Sequence, residues 1–153
     1  LDQFSNTSNY LAHFDGTGPE IWEQTTGQLT HFVSAMGTTG TITGVSKFLK
    51  QMNPSVEIIG AQPKDGSRIP GIRRWREGYE PKIKKNALID RTIDVSEVAA
   101  RDFSIKLSTE RGLFCGLSAA ANVFIAHEIA KDLKDAMIVT IICDRGDRYL
   151  SSL

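Results

Sequence analysis

Cysteine, long apolar runs and any surplus of charge are scarce in this sequence, and each shortage excludes something. Two cysteines, Cys115 and Cys143, do not make a disulfide framework. A reducing compartment, and with it a cytoplasmic protein, is therefore expected, with each thiol read in isolation as a small core hydrophobe. Lysine plus arginine and aspartate plus glutamate balance at 18 each. That removes the electrostatic case for nucleic acid or an anionic membrane as partner. The longest apolar runs, such as 136–142, are strand-length and far short of a bilayer span. No signal peptide is legible. The histidines and carboxylates show no metal-ligand spacing, and no Ser/His/Asp order stands out, so neither a metal centre nor a serine triad is expected.

What is present is 153 residues, 41% of them hydrophobic, enough for one domain with a real core. Residues 1–16 read as an irregular lead-in punctuated by Asn, Ser and Gly. Thr17-Gly18-Pro19-Glu20 has capping-box spacing, so Thr17 is the expected N-cap of a helix running through Ile21 and Trp22 to Gly27. A buried strand follows over about 30–36. After a glycine-rich turn comes a helix with Ile42, Val45, Phe48, Leu49 and Met52 on one face, which Asn53-Pro54 ends. Residues 57–62 give a second strand. Strand, helix and strand of these lengths imply a parallel pair with a right-handed crossover.

Residues 64–90 break the pattern with Gly, Pro and charge, and a loop of that length in a compact domain is usually functional or mobile. Residues 91–95 return as a short strand. Ser96 caps a helix expected to turn Val98, Ala99, Phe103 and Leu107 inward and to end near Gly112. Ser118, read as an ordinary N-cap, opens a helix through Val123, Phe124 and Ala130. Residues 136–142 form the last strand, with Cys143 and Asp144 at its carboxyl end. The alternation predicts an α/β fold of three layers, a mostly parallel sheet flanked by helices, with residues 1–153 as a single domain.

Between the first strand and its helix lies Gly37-Thr38-Thr39-Gly40-Thr41. The first N–H groups of a helix have no internal partner and point, with the positive end of the dipole, at whatever fills the turn. An anion, most simply a phosphate, suits that position. Glycines 37 and 40 admit close backbone approach, and the threonine hydroxyls add donors. A nucleoside-triphosphate loop would need a lysine here, yet none comes before Lys47; a dinucleotide site would need G-x-G-x-x-G and an acid where the next strand ends in Gln62-Pro63. The loop suits one terminal phosphate held by neutral donors, against the plainer alternative of a turn that only packs helix on strand. Ligands of open α/β sheets bind outside the carboxyl ends of the strands. The 37–41 loop, the 64–90 loop and the Cys143-Asp144 turn all arrive there, with Ser118 near the same edge. Taken singly, Arg73 and Arg74 read as a solvated face. The residues alone lead to a phosphate-binding domain with a ligand edge and no identified catalyst.

Gln3-Phe4, Thr17-Gly18-Pro19-Glu20-Ile21-Trp22, the 37–41 loop, Gly116-Leu117-Ser118 and Asp147-Arg148-Tyr149-Leu150-Ser151 together resemble the cysteine synthase, or O-acetylserine sulfhydrylase, family. Residues 69–75 and 142–148 resemble its B-type members, and the match runs in order from end to end. The resemblance implies a tryptophan synthase β-like fold, pyridoxal 5'-phosphate as cofactor, a homodimer, and formation of cysteine from O-acetylserine with sulfide or thiosulfate as donor. By it, Gly37, Thr38, Thr39, Gly40 and Thr41 match the cradle of the cofactor phosphate, and Ser118 matches the serine facing the pyridine nitrogen. A neutral hydroxyl there favours β-elimination over transamination. Gln3 matches a residue at the substrate carboxylate, Cys143 and Asp144 match polar pocket lining, and Arg73 and Arg74 match a loop at the pocket mouth.

Two departures from the family pattern stand out. Ser118-Ala119-Ala120 replaces Ser-Ser-Gly, and Thr38-Thr39 replaces Gly-Gly. The family's Schiff-base lysine, in a Ser-x-Lys-x-Arg segment, lies upstream of the region matching Leu1. No catalytic residue is therefore expected within this chain, which matches most of the larger C-terminal domain and is expected to be nearly inactive alone. Another β-replacing enzyme, such as a cystathionine β-synthase, is one alternative, disfavoured by Arg73-Arg74-Trp75 and Cys143-Asp144-Arg145. A catalytically dead module of the same fold, serving as a binding or regulatory partner, is the other.

Overall fold

The computed structural model describes residues 2–150, so Ser151 of the C-terminal motif lies outside the described residues. Four strands, β1 (His31–Ala35), β2 (Glu57–Pro63), β3 (Arg91–Val95) and β4 (Ile138–Thr140), form one sheet in the order β3-β2-β1-β4. Every pairing is parallel, with Phe32 opposite Ile58 and Val33 opposite Ile59. Successive side chains of a strand point to opposite faces, so two adjacent apolar residues bury both. Phe32, Met36 and Ile58 pack on one face with Ile42, Val45 and Leu49 of helix α3 (Gly40–Met52). Val33, Ile59, Ala61 and Val95 pack on the other with Leu117, Ala121 and Ile125 of helix α5 (Leu117–Ala130). The chain moves outward from β1 to β3 and then returns across the sheet to β4. Right-handed crossovers taken in opposite directions place their helices on opposite faces, which gives the three layers.

Several local expectations change. The lead-in is helical: α1 (Thr7–Ala12), a π-helical turn (His13–Thr17) and α2 (Gly18–Gln24) run on from one another. Asn6 starts the run, its Oδ1 accepting from Ser8 N at 2.9 Å. Thr17 is no N-cap; its φ and ψ of −57° and −41° are helical and its hydroxyl bonds His13 Nδ1 at 2.9 Å. On α3, Met52 is exposed, whereas Thr43 and Ser46 are fully buried; Ser46 Oγ accepts from Leu88 N at 3.0 Å, and α1 and the π-turn pack on the side of α3 that carries Gly40 and Gly44. In helix α4 (Glu97–Arg111) the inward stripe is Ala100, Ser104 and Leu107, and Val98 is 68% exposed. Ser118 is not an N-cap either: Gly116 holds that position and Ser118 is the second helical residue. Cys115 is buried but Cys143 is exposed. No helix among the described residues is long and apolar enough to cross a membrane.

Ser96 does cap α4, accepting from Ala99 N at 3.1 Å. Ser96→Ala should cost about 1 kcal/mol, seen as a lower denaturant midpoint at unchanged slope.

Candidate functional site

The first N–H groups of α3 open at the carboxyl edge of the sheet. Thr39 precedes the helix at φ +70°, a left-handed conformation, and gives it no side-chain cap. Gly40 N donates to Thr38 Oγ1 at 3.3 Å and Thr43 N donates to Thr39 O at 3.0 Å. Among the described residues the N–H groups of Thr41 and Ile42 have no acceptor, and the buried Thr39 Oγ1 has no partner. Buried polar groups are nearly always paired. These unspent donors, at the positive end of a thirteen-residue helix, fit a phosphate group.

Two pieces of chain close over this loop. Residues 69–75 form a roof: Arg73 N donates to Met36 O and Trp75 Nε1 donates to Gly37 O, each at 3.0 Å. The carbonyl of Gly71 lies so near Gly37 that a Cβ there would stand 2.5 Å from it. From the other side, Asn9 Nδ2 donates to Gln3 O at 2.7 Å and to Thr38 Oγ1 at 3.3 Å, and His13 Nε2 lies 3.3 Å from Thr41 Oγ1. Neither Asn9 nor His13 could be found from motif spacing, because the stretch holding them reads as loop. Their separation by four residues is a signal only once that stretch is known to be helical.

Ser118, 4% exposed, sits beneath the same roof; a Cβ on Gly71 would stand 3.3 Å from its hydroxyl oxygen. The Cys143 thiol itself donates to Ile141 O at 3.7 Å. Desolvation raises the Cys143 thiol above its ordinary range, and the Asp144 charge adds to that. Asp144 works chiefly as a strut. Its backbone oxygen accepts from Gly116 N at 3.1 Å and its Oδ2 from the Tyr149 hydroxyl at 2.5 Å, which pushes the phenol up to about 12. Cys143 and Asp144 also line a cleft of about 320 Å³ with Arg145, Asp147 and Arg148.

The two arginines part company. Arg74 Nη1 meets both carboxylate oxygens of Asp94 at 2.8 Å and Pro63 O at 3.3 Å, so its charge is engaged at the end of β3. Gln62 and then Arg74 hold the Asp94 carboxyl below its usual range. Arg73 is exposed, its guanidinium 5.6 Å from the Trp75 ring centre and 6.0 Å from that of Phe4. Gln3 reaches the cradle through its backbone carbonyl, by way of Asn9. A cavity of about 730 Å³ walled by residues between Pro63 and Arg76 lies alongside but includes no residue of the 37–41 loop.

The family model described as pyridoxal-phosphate dependent enzyme matches residues 1–144. The chain belongs to this family. It is 54% identical over 152 residues to the cysteine synthase B of Pseudomonas aeruginosa, covering 99% of this chain and 51% of that protein. To the cysteine synthase B of Escherichia coli it is 52% identical, over 99% and 50% of the two chains. Among solved structures, isoform 3 of O-acetyl serine sulfhydrylase from Entamoeba histolytica matches with a TM-score of 0.89 at 31% identity, covering 99% of this chain and 48% of that one. An O-ureido-L-serine synthase matches at 0.89 and 33%, covering 99% and 51%. The chain thus spans about half the length of the curated relatives it matches. Its four-stranded parallel sheet between helices is the fold it shares with the matching part of these solved structures. Both residues of the Ala119-Ala120 departure are fully buried and cluster with Leu107 and Cys115.

Proposed function

We propose that the protein carrying this chain is a cysteine synthase, which replaces the acetate of O-acetylserine with sulfur from sulfide or thiosulfate to give cysteine or S-sulfocysteine. Pyridoxal phosphate supplies the electron sink for that β-replacement. The observation that carries the reading is the pairing of a neutral phosphate cradle at α3 with a buried neutral hydroxyl, Ser118, under one shared roof. Identity above 50% to cysteine synthase B of two organisms, over 99% of the chain, supports the same assignment. In it, Gly37, Thr38, Thr39, Gly40 and Thr41 hold the phosphate, and Ser118 faces the ring nitrogen without protonating it. Gln3 lies at the substrate carboxylate and Cys143 lines the pocket beside the Asp144 strut. Arg73, exposed above Phe4 and Trp75, is the arginine placed to meet an anionic sulfur donor. Arg74 serves the same mouth indirectly by tying the roof loop to Asp94.

In this reading the chain is a single α/β domain corresponding to most of the larger, C-terminal domain of a longer, cytoplasmic and homodimeric enzyme. The lysine that bonds the cofactor comes from the part preceding it. The test is the visible absorption spectrum of the full-length protein. A band of bound cofactor that shifts on adding O-acetylserine and returns on adding sulfide, with cysteine released, is the expected result. A bound cofactor whose band ignores O-acetylserine would overturn the reading in favour of a non-catalytic module.

A further inference from the structure

In its first two turns α5 carries Ser118 and Asn122, four residues apart on one face of the helix. The proposed function uses only the first. Asn122 is fully buried. Its Nδ2 donates to Ile141 O at 3.0 Å, and because a carbonyl only accepts, the amide can be turned no other way. Its Oδ1 is buried and has no partner among the described residues. An orphaned buried acceptor is destabilising, and leucine has nearly the same shape without one. Packing alone therefore gives asparagine no advantage here, and its worth lies at the donor end. That end grips the chain where it leaves the sheet. The ladder between β1 and β4 stops at Val33 opposite Thr140, and the Thr140 hydroxyl itself donates to Val33 O at 2.9 Å. Residues 141–143 belong to no strand. They turn instead toward the head of α5, where Gly116 N donates to Asp144 O and Gly146 N to Phe114 O, each at 3.1 Å, and Cys115 bridges Arg145. The Asn122 amide is the first of these ties. The carbonyl it grips has a second donor, the Cys143 thiol at 3.7 Å, so one oxygen joins the buried amide to the thiol at the ligand edge.

We infer that Asn122 is a positioning residue for the sulfur donor: its amide stands in for the strand partner that Ile141 lacks, and so fixes where the Cys143 thiol stands and which way it points. The inference rests on the proposed function, in which Cys143 lines the pocket, and extends it to a side chain outside every motif of the site. It also separates the two halves of the reaction. Ser118 is carried by the α5 backbone beneath the 69–75 roof, and the phosphate cradle by α3, so neither depends on the Asn122 tie. Only the wall that Cys143 supplies does.

The experiment compares the full-length protein with its Asn122→Leu and Asn122→Ala variants. Asn122→Leu keeps the shape and removes the orphaned acceptor, so its denaturant midpoint should equal or exceed that of the parent. The infrared S–H stretching band of Cys143, assigned by its loss in Cys143→Ala, should be narrow in the parent, where the thiol has one fixed acceptor. It should broaden or split in both Asn122 variants, with or without bound cofactor. In protein loaded with pyridoxal phosphate, the response of the visible band to O-acetylserine should be unchanged within about twofold, whereas the sulfide concentration that half-restores it should rise about tenfold, the scale of one hydrogen bond. An unchanged S–H band, or responses to O-acetylserine and sulfide that weaken together, would overturn the inference, and the alanine variant decides it should the leucine variant fail to fold. A parent protein whose bound cofactor ignores O-acetylserine would instead bring down the proposed function, and the inference with it.

Discussion

Gly37→Ala is expected to weaken pyridoxal phosphate binding by the full-length protein on the order of a hundredfold, more than any loss expected from removing a single threonine hydroxyl of the cradle. The added Cβ would stand 2.5 Å from Gly71 O, a backbone atom that no rotamer change can move. The roof must rise. Its two ties, Arg73 N to Met36 O and Trp75 Nε1 to Gly37 O, are each 3.0 Å long and would both stretch or break. At about 1 kcal/mol or somewhat more per bond, their loss accounts for the expected factor. Gly16→Ala is the control: nothing lies within 4 Å of its added Cβ, and affinity should not change. Cofactor titrations of the two variants settle the matter, and equal affinities would show that the roof is not part of the phosphate site.

How much of this is legible in the sequence depends on where the information resides. The inner strands β1 and β2 are apolar runs, and burial on both faces makes such runs stand out; the 91–95 edge strand is mostly exposed and is read instead from its β-branched residues, with Ser96 legible as a cap by its residue type. The cradle can be read because its chemistry needs particular residues in consecutive order. The opening helices cannot. Neither α1 nor the π-turn contains a single buried residue, so no apolar stripe marks them, and their Asn and Ser residues mimic loop punctuation. What holds them is α3, some thirty residues away. The same limit hides Asn9 and His13, whose roles exist only once that packing is formed. In α4 the small residues Ala100 and Ser104 take the inward face against α5, a choice that a search for large apolar side chains inverts. Arg73 and Arg74 are neighbours in sequence with different tasks, since only one of them lies within reach of Asp94.

Gly44→Val should be the most destabilising single change on the outer side of α3, costing about 3 kcal/mol or more, and it should carry cofactor affinity down with it. A Cβ at Gly44 would run into Tyr10 O and stand 2.7 Å from both His13 Cβ and Phe14 N. Gly40, one turn earlier, faces Asn9 in the same way. These two glycines are the seat on which α1 and the π-turn rest. A branched side chain at position 44 must push that layer away. It also draws Asn9 from Thr38 and His13 from Thr41, which lie only at the outer limit of hydrogen bonding, 3.3 Å, to begin with. Leu49→Ala separates the two effects. Leu49 is fully buried on the sheet side of the same helix, and its truncation should cost about 2–5 kcal/mol through the cavity alone. The folded protein should then bind pyridoxal phosphate with nearly unchanged affinity, since no contact to the cradle moves. Denaturant midpoints measured with and without cofactor distinguish the cases: added pyridoxal phosphate should recover stability in Leu49→Ala as it does in the parent and should recover much less in Gly44→Val. Equal recovery would mean that the outer helices stabilise the fold without shaping the site.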